Sequence, residues 1–218
     1  MAEGQTLELA WYGQSMFRIS GGGITVVCDP TAPETGYRYE PVTADVVLVS
    51  HDHFDHSHLA GVQGEPTVLK AGGTSVINGL EVTGIDSHHD SSGGQERGSN
   101  IIFTWEQAGF RLAHFGDLGA KPPGDVLSSL AGLDIAMVPV GGVFTIDGDG
   151  AADLVRDLSP SIVFPMHYKT PDCVIPINPL EEFTDNFTGT VKRIDERPLL
   201  VTRDSVPETT EVWVVTYQ

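Results

Sequence analysis

The chain has 218 residues, 40% of them hydrophobic, enough for one well-buried core and short for two ordinary domains, so a single domain over 1–218 is expected. Thirty acidic residues against twelve basic ones leave a formal charge of −18, which argues against a broad basic face for nucleic acid and reads as a solubilising surface. No apolar run approaches the roughly 20 residues of a membrane helix. The start, Met1-Ala-Glu-Gly-Gln, carries neither a basic nor an apolar signal region, and Cys28 and Cys173 read as two free thiols of a cytoplasmic protein.

In chain order, Leu7–Tyr12 alternates as an edge-like strand. Phe17–Ile19 and Ile24–Cys28 form a hairpin across Gly21-Gly22-Gly23, which Asp29-Pro30 ends. Residues 31–44 are a Pro- and Gly-bearing loop with Tyr37 and Tyr39 as a pocket wall. Asp45–Ser50 is a β-branched run with the pattern of a buried strand, and Ser57–Val62 starts a short helix. Thr67–Leu69, Ser75–Ile77 and Leu80–Ile85 are short strands, followed by a Gly/Ser-rich loop over Ser87–Asn100. Ile101–Trp105 and Phe110–Phe115 pair as a hairpin. Asp125–Leu133 is helical, Ile135–Val140 a buried strand, and Ala151–Leu158 a helix with Asp149 as its N-cap. Ser161–Met166 is a strand. Asn178-Pro179-Leu180-Glu181 resembles a capped helix start. The tail returns to strands, clearest over Glu211–Tyr217. Strands that dominate first and then alternate with helices predict a layered α/β domain with two central sheets.

The chemistry lies in residues 45–58, where the strand runs into four histidines and two aspartates within eight residues. His51 and His53 are two apart, so in an extended segment both imidazoles point to one side. Asp55 and His56, adjacent to one another, diverge from that pair and can hold a second ion nearby. Imidazole suits zinc, iron and similar ions, and carboxylate adds a harder ligand. His-x-His-x-Asp-His therefore reads as half of a dinuclear site rather than a solvated polar loop. The other histidines, 58, 88, 89, 114 and 167, fall in segments that could close it. A third nitrogen for the first ion could come from His88, His89 or His114. Asp117 sits just past a strand end, where its carboxylate could bridge two ions, and His167, also just past a strand, could complete the second. Two alternatives fail on their residues. Asp147-Gly-Asp149 starts like a calcium loop but has Ala152 and Leu158 where that loop needs Gly and Glu, and no Gly-x-Ser-x-Gly supports a serine hydrolase.

His51-x-His53-x-Asp55-His56, a later His, Gly116-Asp117 and His167 together resemble the metallo-β-lactamase superfamily. A wider set is similar to its small prokaryotic Zn-dependent hydrolase branch, close to the ascorbate-6-phosphate lactonase group. That set is Trp11-Tyr12-Gly13-Gln14-Ser15, Cys28-Asp29-Pro30, His89-Asp90 with Gly94 and Arg97-Gly98-x-Asn100, His114-x-Gly116-Asp117-Leu118-Gly119, Pro139-Val140-Gly141-Gly142, and Pro165-Met166-His167-Tyr168-Lys169-Thr170. The resemblance implies a four-layer αββα sandwich, two mixed β-sheets flanked by helices. It implies two divalent ions, Zn2+ first with Mn2+ or Fe as alternatives. The first would be held by His51, His53 and His89, the second by Asp55, His56 and His167, with Asp117 between them. His114 and Asp29 would support ligands, Asp29 by accepting the second N–H of an imidazole; Lys169 or Tyr168 would steady an anionic substrate group.

Three departures matter. Gln14 stands where many relatives carry His. Asp117 stands where lactamases of the best-known class carry Cys, which counts against antibiotic hydrolysis. Only 33 residues (89 − 56) separate His56 from His89, little room for a substrate-binding insertion.

Two ions, two carboxylates and a bridging hydroxide sum to roughly +1, a positive spot for a small anionic or carbonyl-containing substrate. The expected activity is hydrolysis of a small ester, lactone or phosphoester, with Asp55 and Asp117 as catalytic carboxylates. A non-catalytic metal-binding or sensing module on the same fold is the second reading, and a diiron redox enzyme the third. A homo-oligomer is compatible with the sequence.

Overall fold

β-Branched and aromatic runs separated by glycine turns set the architecture. The computed structural model describes residues 5–218. Its strands are β1 (Thr6–Trp11), β2 (Phe17–Gly21), β3 (Ile24–Cys28), β4 (Val42–Thr43), β5 (Val46–Leu48), β6 (Val62–Gln63), β7 (Thr67–Leu69), β8 (Gly73–Ile77), β9 (Leu80–His88), β10 (Ser99–Gln107) and β11 (Phe110–His114). Then come α1 (Gly124–Ser129), β12 (Ile135–Pro139), α2 (Gly148–Leu158), β13 (Ile162–Met166), α3 (Glu181–Thr184), β14 (Thr190–Ile194), β15 (Leu199–Thr202) and β16 (Glu211–Val215). One sheet has six strands in the order β15-β1-β2-β3-β5-β7, the other eight in the order β14-β16-β13-β12-β11-β10-β9-β8. Both are mixed: hairpins give antiparallel pairs such as β2–β3 and β10–β11, and crossovers give parallel pairs such as β3–β5 and β12–β13.

The sheets face each other across one core, to which Trp11, Phe17, Val26 and Leu48 contribute from the first, and Phe103, Leu112, Met137 and Phe164 from the second. The two-residue period of a strand divides β3 and β5 between two faces. Val26 and Val46 point into the central core, while Val27, Val47 and Val49 join Met16 on the outer face, under Tyr12, Tyr39, Ala44 and Val62. That outer face is thus covered by the 31–44 segment and the β4–β6 ribbon. On α2, Ala151, Leu154, Val155 and Leu158 form the helical i, i+3, i+4, i+7 stripe and are buried. The layered α/β sandwich is as expected. Among the described residues no helix is long and apolar enough to cross a membrane.

Several element boundaries differ from expectation. The cap of α2 is Asp147, whose Oδ1 accepts from Gly150 N at 2.9 Å, and Asp149 lies in the first turn. The helix expected over 125–133 stops at Ser129, ahead of Gly132 at φ +76°. Ser57–Val62 makes one 3₁₀ turn at Leu59–Gly61 and passes straight into β6. Asn178 does not cap α3; its amide donates to Glu182 Oε2 at 2.7 Å. β9 and β10 reach further into the Gly/Ser-rich segment than its composition suggests.

The pairing directions place the carboxyl ends of β9, β11, β12 and β13 along one edge of the larger sheet. At that edge Ile101 N donates to Ser50 O at 3.0 Å, joining the end of β5 to the larger sheet. The loops leaving these strand ends carry residues 51–56, 89, 117 and 167, the position at which layered sheets present their sites.

Candidate metal centre

Seven donors converge at this edge. His51, His53 and His89 form one group, and Asp55, His56, Asp117 and His167 a second, each with its donor atoms within 4.8 Å of one another. The 51–56 segment is a turn rather than an extended stretch: His56 N and Ser57 N both donate to His53 O. His51 and His53 meet all the same, with Nε2 and Nδ1 2.9 Å apart. Asp117 faces both groups. Its Oδ2 lies 3.3 Å from Nε2 of His89 and 3.3 Å from Nε2 of His167, and its Oδ1 lies 3.1 Å from His56 Nε2. Of the three alternatives for a third nitrogen beside His51 and His53, His89 is the one brought there. His88 ends β9 as an exposed side chain, and His114 is turned away.

The donors are held by a second set of contacts. Asp29 is fully buried in a left-handed conformation, φ +43°. Its carboxylate accepts from Ser50 N at 2.7 Å and Ser50 Oγ at 2.6 Å, and it takes His56 Nδ1 at 2.8 Å, tying the end of β5 to a donor ring. His114 donates Nε2–H to Ser15 O at 2.8 Å and accepts Gly116 N on Nδ1 at 3.2 Å. Both nitrogens are used, so it stays neutral and braces the Gly116-Asp117 turn. Two residues escaped sequence reasoning. Asn100 accepts Asp117 N at 2.9 Å and donates to Phe115 O at 3.0 Å, fixing the turn on both sides. Gln14 donates to Asp55 Oδ2 at 3.0 Å, and its backbone carbonyl accepts His167 N at 3.0 Å, so one residue orients two donors. Asn100 and Gln14 lay inside the recognised runs, but no local spacing assigns them this work. Asp90, beside His89, gathers the backbone N–H groups of Ser92, Gly94, Glu96 and Arg97 at 2.8–3.0 Å and folds the 90–97 loop around itself. At Gly119 a side chain would collide with the backbone of His89 and Asp90, so the close approach requires glycine there.

The electrostatics are those of a site built for a cation. Burial disfavours the charged form of every group here. It pushes His51 down to about 3, helped by the neighbouring charge on His56. Burial would raise Asp55, yet the charge and hydrogen bond of His56 outweigh it and bring it to about 2. Asp117 is held well below the usual carboxylate range against the same opposition, by His167 and His56. His56 is raised well above the ordinary histidine value because Asp117, Asp55 and Asp29 together outweigh its burial. The carboxylates around His56 thus favour positive charge at this position. Among the described residues, His56 Nε2 and Asp117 Oδ1 are nevertheless buried without a well-aligned hydrogen-bond partner, as are Nδ1 of His89 and of His167. Buried polar atoms left so are rare, and an imidazole-rich group beside a carboxylate-bearing one suits divalent ions of the zinc type. The residues present fit two such ions.

A cleft of about 470 Å³ opens over the donors. His53, Asp55, His89, Asp117 and His167 form its floor, with Phe54, Arg97, Phe144, Ile175 and Pro176 around them. Lys169 and Tyr168, expected on the substrate side, are not among its walls. Lys169 Nζ donates to the carbonyls of Cys173 and Ile175 and so pins the 173–175 segment. The ring of Tyr168 is buried against Trp11, centroids 5.2 Å apart. His167 adopts φ +53°, which breaks the extended course and turns the two following residues away from the cleft.

Fold and site together define a metallo-β-lactamase-type domain. The chain belongs to that superfamily: residues 8–167 match the family described as the beta-lactamase superfamily domain. It is 31% identical over 215 residues to a UPF0173 metal-dependent hydrolase of Polaromonas sp., covering 77% of this chain and 78% of that one. To a UPF0173 metal-dependent hydrolase of Thermoplasma acidophilum it is 29% identical over 196 residues, covering 78% and 87%. A crystal structure of a metallo-beta-lactamase superfamily protein from Thermotoga maritima superposes with a TM-score of 0.79 at 29% identity, over 97% of this chain and 100% of that one.

Proposed function

We propose that this member of a family of metal-dependent hydrolases works with two divalent ions, zinc first and manganese or iron as alternatives, on a small ester, lactone or phosphoester. The observation that carries this reading is the convergence of seven donors from four separate loops, with buried donor atoms left unpartnered, at the floor of an open cleft. The ions, when bound, supply Lewis-acid charge and a hydroxide nucleophile generated near neutral pH. The chain's own residues do the rest. His51, His53 and His89 would hold one ion, and Asp55, His56 and His167 the other. Asp117, which faces both groups, would be shared between them. Asp55 is oriented by the Gln14 amide and lines the cleft, so its carboxylate can take up the proton released as the nucleophile attacks. A non-catalytic metal module would have no use for an open cleft above its ligands, which favours the catalytic reading.

Elemental analysis of protein purified without added metal, joined to an ester, lactone and phosphodiester panel, tests the proposal. Two equivalents of metal with turnover are expected, and His51→Ala should lose both metal and activity. A fully loaded protein inert across the panel sinks the hydrolase reading.

A further inference from the structure

The cleft walls hold a pattern that metal chemistry does not need. Arg97 is the one fixed cation among the lining residues, in a protein of charge −18. Its guanidinium lies over the Phe144 ring, 5.5 Å from the centroid. Among the described residues no hydrogen bond engages its side chain, and the nearest carboxylate, Glu96 Oε2, stands 4.0 Å away on an exposed side chain. Its backbone, by contrast, is fixed: Arg97 N donates to Asp90 Oδ2 at 2.8 Å, and Gly98 N to Gly94 O at 3.1 Å. A rigid loop thus presents a fork of five N–H donors, uncommitted, at the rim of the site.

The remaining wall is apolar. Phe54 projects from the middle of the ligand loop with 56% of its surface exposed, unusual for a phenyl group. Phe144, Ile175 and Pro176 complete the wall. Phe144 follows Val143, whose φ of +58° is a true outlier for a β-branched residue and a strained one. That strained turn, after Gly141-Gly142, sets Phe144 beneath Arg97.

Resting on the hydrolase reading above, we infer that the substrate is an amphipathic organic anion. Its carboxylate or phosphate end is held by Arg97, and its apolar body lies between Phe54 and the Phe144–Ile175 wall, with the scissile bond over the metal floor. Arg97 is a specificity-determining residue. A plain inorganic anion leaves the apolar wall unused, and a neutral ester leaves the guanidinium unpaired.

Isothermal titration of metal-loaded protein with 4-phenylbutyrate, 4-phenylbutanol and inorganic phosphate tests this, with metal content measured on every sample. Wild type should bind phenylbutyrate more tightly than phenylbutanol. Arg97→Met keeps the stem over Phe144 and removes the charge; it should weaken phenylbutyrate roughly tenfold, the scale of one charge-assisted contact, with phenylbutanol moved less than about twofold. Arg97→Lys should fall between, and it decides the matter at equal metal content if Arg97→Met loads poorly. Phe144→Ala should weaken both organic probes and spare phosphate. Equal wild-type affinity for the two organic probes, binding of phosphate alone, or indifference of phenylbutyrate to both Arg97 variants overturns the inference. An Arg97-dependent preference in a protein inert across the hydrolase panel overturns the hydrolase reading alone. Turnover of neutral esters with no Arg97 effect overturns the ligand class alone.

Discussion

Asp29 provides the sharpest test of how the donors are held, because an isosteric change alters only proton placement. Its carboxylate takes Ser50 N, Ser50 Oγ and His56 Nδ1 at 2.7, 2.6 and 2.8 Å. With Nδ1–H donating to Asp29, Nε2 is the nitrogen left to bind an ion, 3.1 Å from Asp117 and 3.4 Å from Asp55. In Asp29→Asn the oxygen that faces Ser50 N can remain, but the other terminus becomes an N–H2 group. It drives His56 to accept on Nδ1 and carry its proton on Nε2, the wrong atom. Binding metal then requires the tautomer to revert, leaving two donors face to face and one charge-assisted hydrogen bond lost, about 1.5–3 kcal/mol. The second equivalent of zinc should therefore bind roughly 10- to 100-fold more weakly, with the equivalent at His51, His53 and His89 changed much less. Competition against a chromophoric chelator reads both equivalents, and retention of the first shows the fold is intact. Two equivalents bound with wild-type affinity would refute the reasoning. Asp29→Ala is a harsher change: Ser50 N and His56 Nδ1 are left buried and unpaired, about 1–3 kcal/mol each.

The other expectations concern the supports. Asn100→Ala strands Asp117 N and Phe115 O, so urea unfolding should show a loss of about 2–5 kcal/mol together with reduced metal content; full stability would mean the Gly116-Asp117 turn holds itself. The Asp90 carboxyl is brought down to about 2 chiefly by the backbone N–H of Arg97, against burial and with those of Glu96, Gly94 and Ser92. A depressed carboxylate stabilises above its unfolded value near 4 and stops doing so as pH falls through about 2, so the exchange protection factors of the 92–97 amides should hold at neutral pH and fall only in that acid window. Asp90→Ala should lower them at every pH, and unchanged protection there removes the loop-organising role. Lys169→Met should lower stability by about 1 kcal/mol, since two carbonyls lose their donor, and leave ester turnover within twofold because Lys169 does not line the cleft. A large rise in KM would return it to the substrate side.

Much of this was legible because it is local. Strand runs such as Asp45–Ser50 and Ile135–Val140 show in hydrophobic pattern alone, and each donor segment follows one of them directly. A strand end at the carboxyl edge of a layered sheet is where a donor must sit to meet others, so His51, Asp117 and His167 could be grouped without knowing their contacts. The errors lie where a choice spans one or two residues. Asp147 and Asp149 are equally good caps by type, and the backbone entering α2 selects the first. Lys169 follows His167 by two, which on an extended chain implies the same side. The left-handed turn at His167 removes that implication.

The supports were illegible for a different reason. Gln14 reaches Asp55 across 41 residues and Asn100 reaches Asp117 across 17, and neither contact follows from side-chain type or period. Asn100 meets Asp117 through the pairing of β10 with β11 in the larger sheet, and Gln14 meets Asp55 where the β1–β2 turn approaches the loop after β5 in the smaller one; both placements are set by core residues such as Phe103, Leu112 and Phe17 that carry no chemistry themselves. A donor set can be recognised from which residues carry lone pairs. Its geometry is written in amides and backbone groups that look ordinary in isolation, which is why a glutamine at position 14 can orient a ligand with no sign of it in the sequence. The Gln14 amide offers Asp55 an N–H donor as an imidazole would, while its backbone carbonyl takes His167 N whatever the side chain. Gln14→His should therefore preserve the second equivalent of metal and Gln14→Leu should weaken it, with chelator competition as the measure; equal affinity in all three would show that Asp55 needs no such partner.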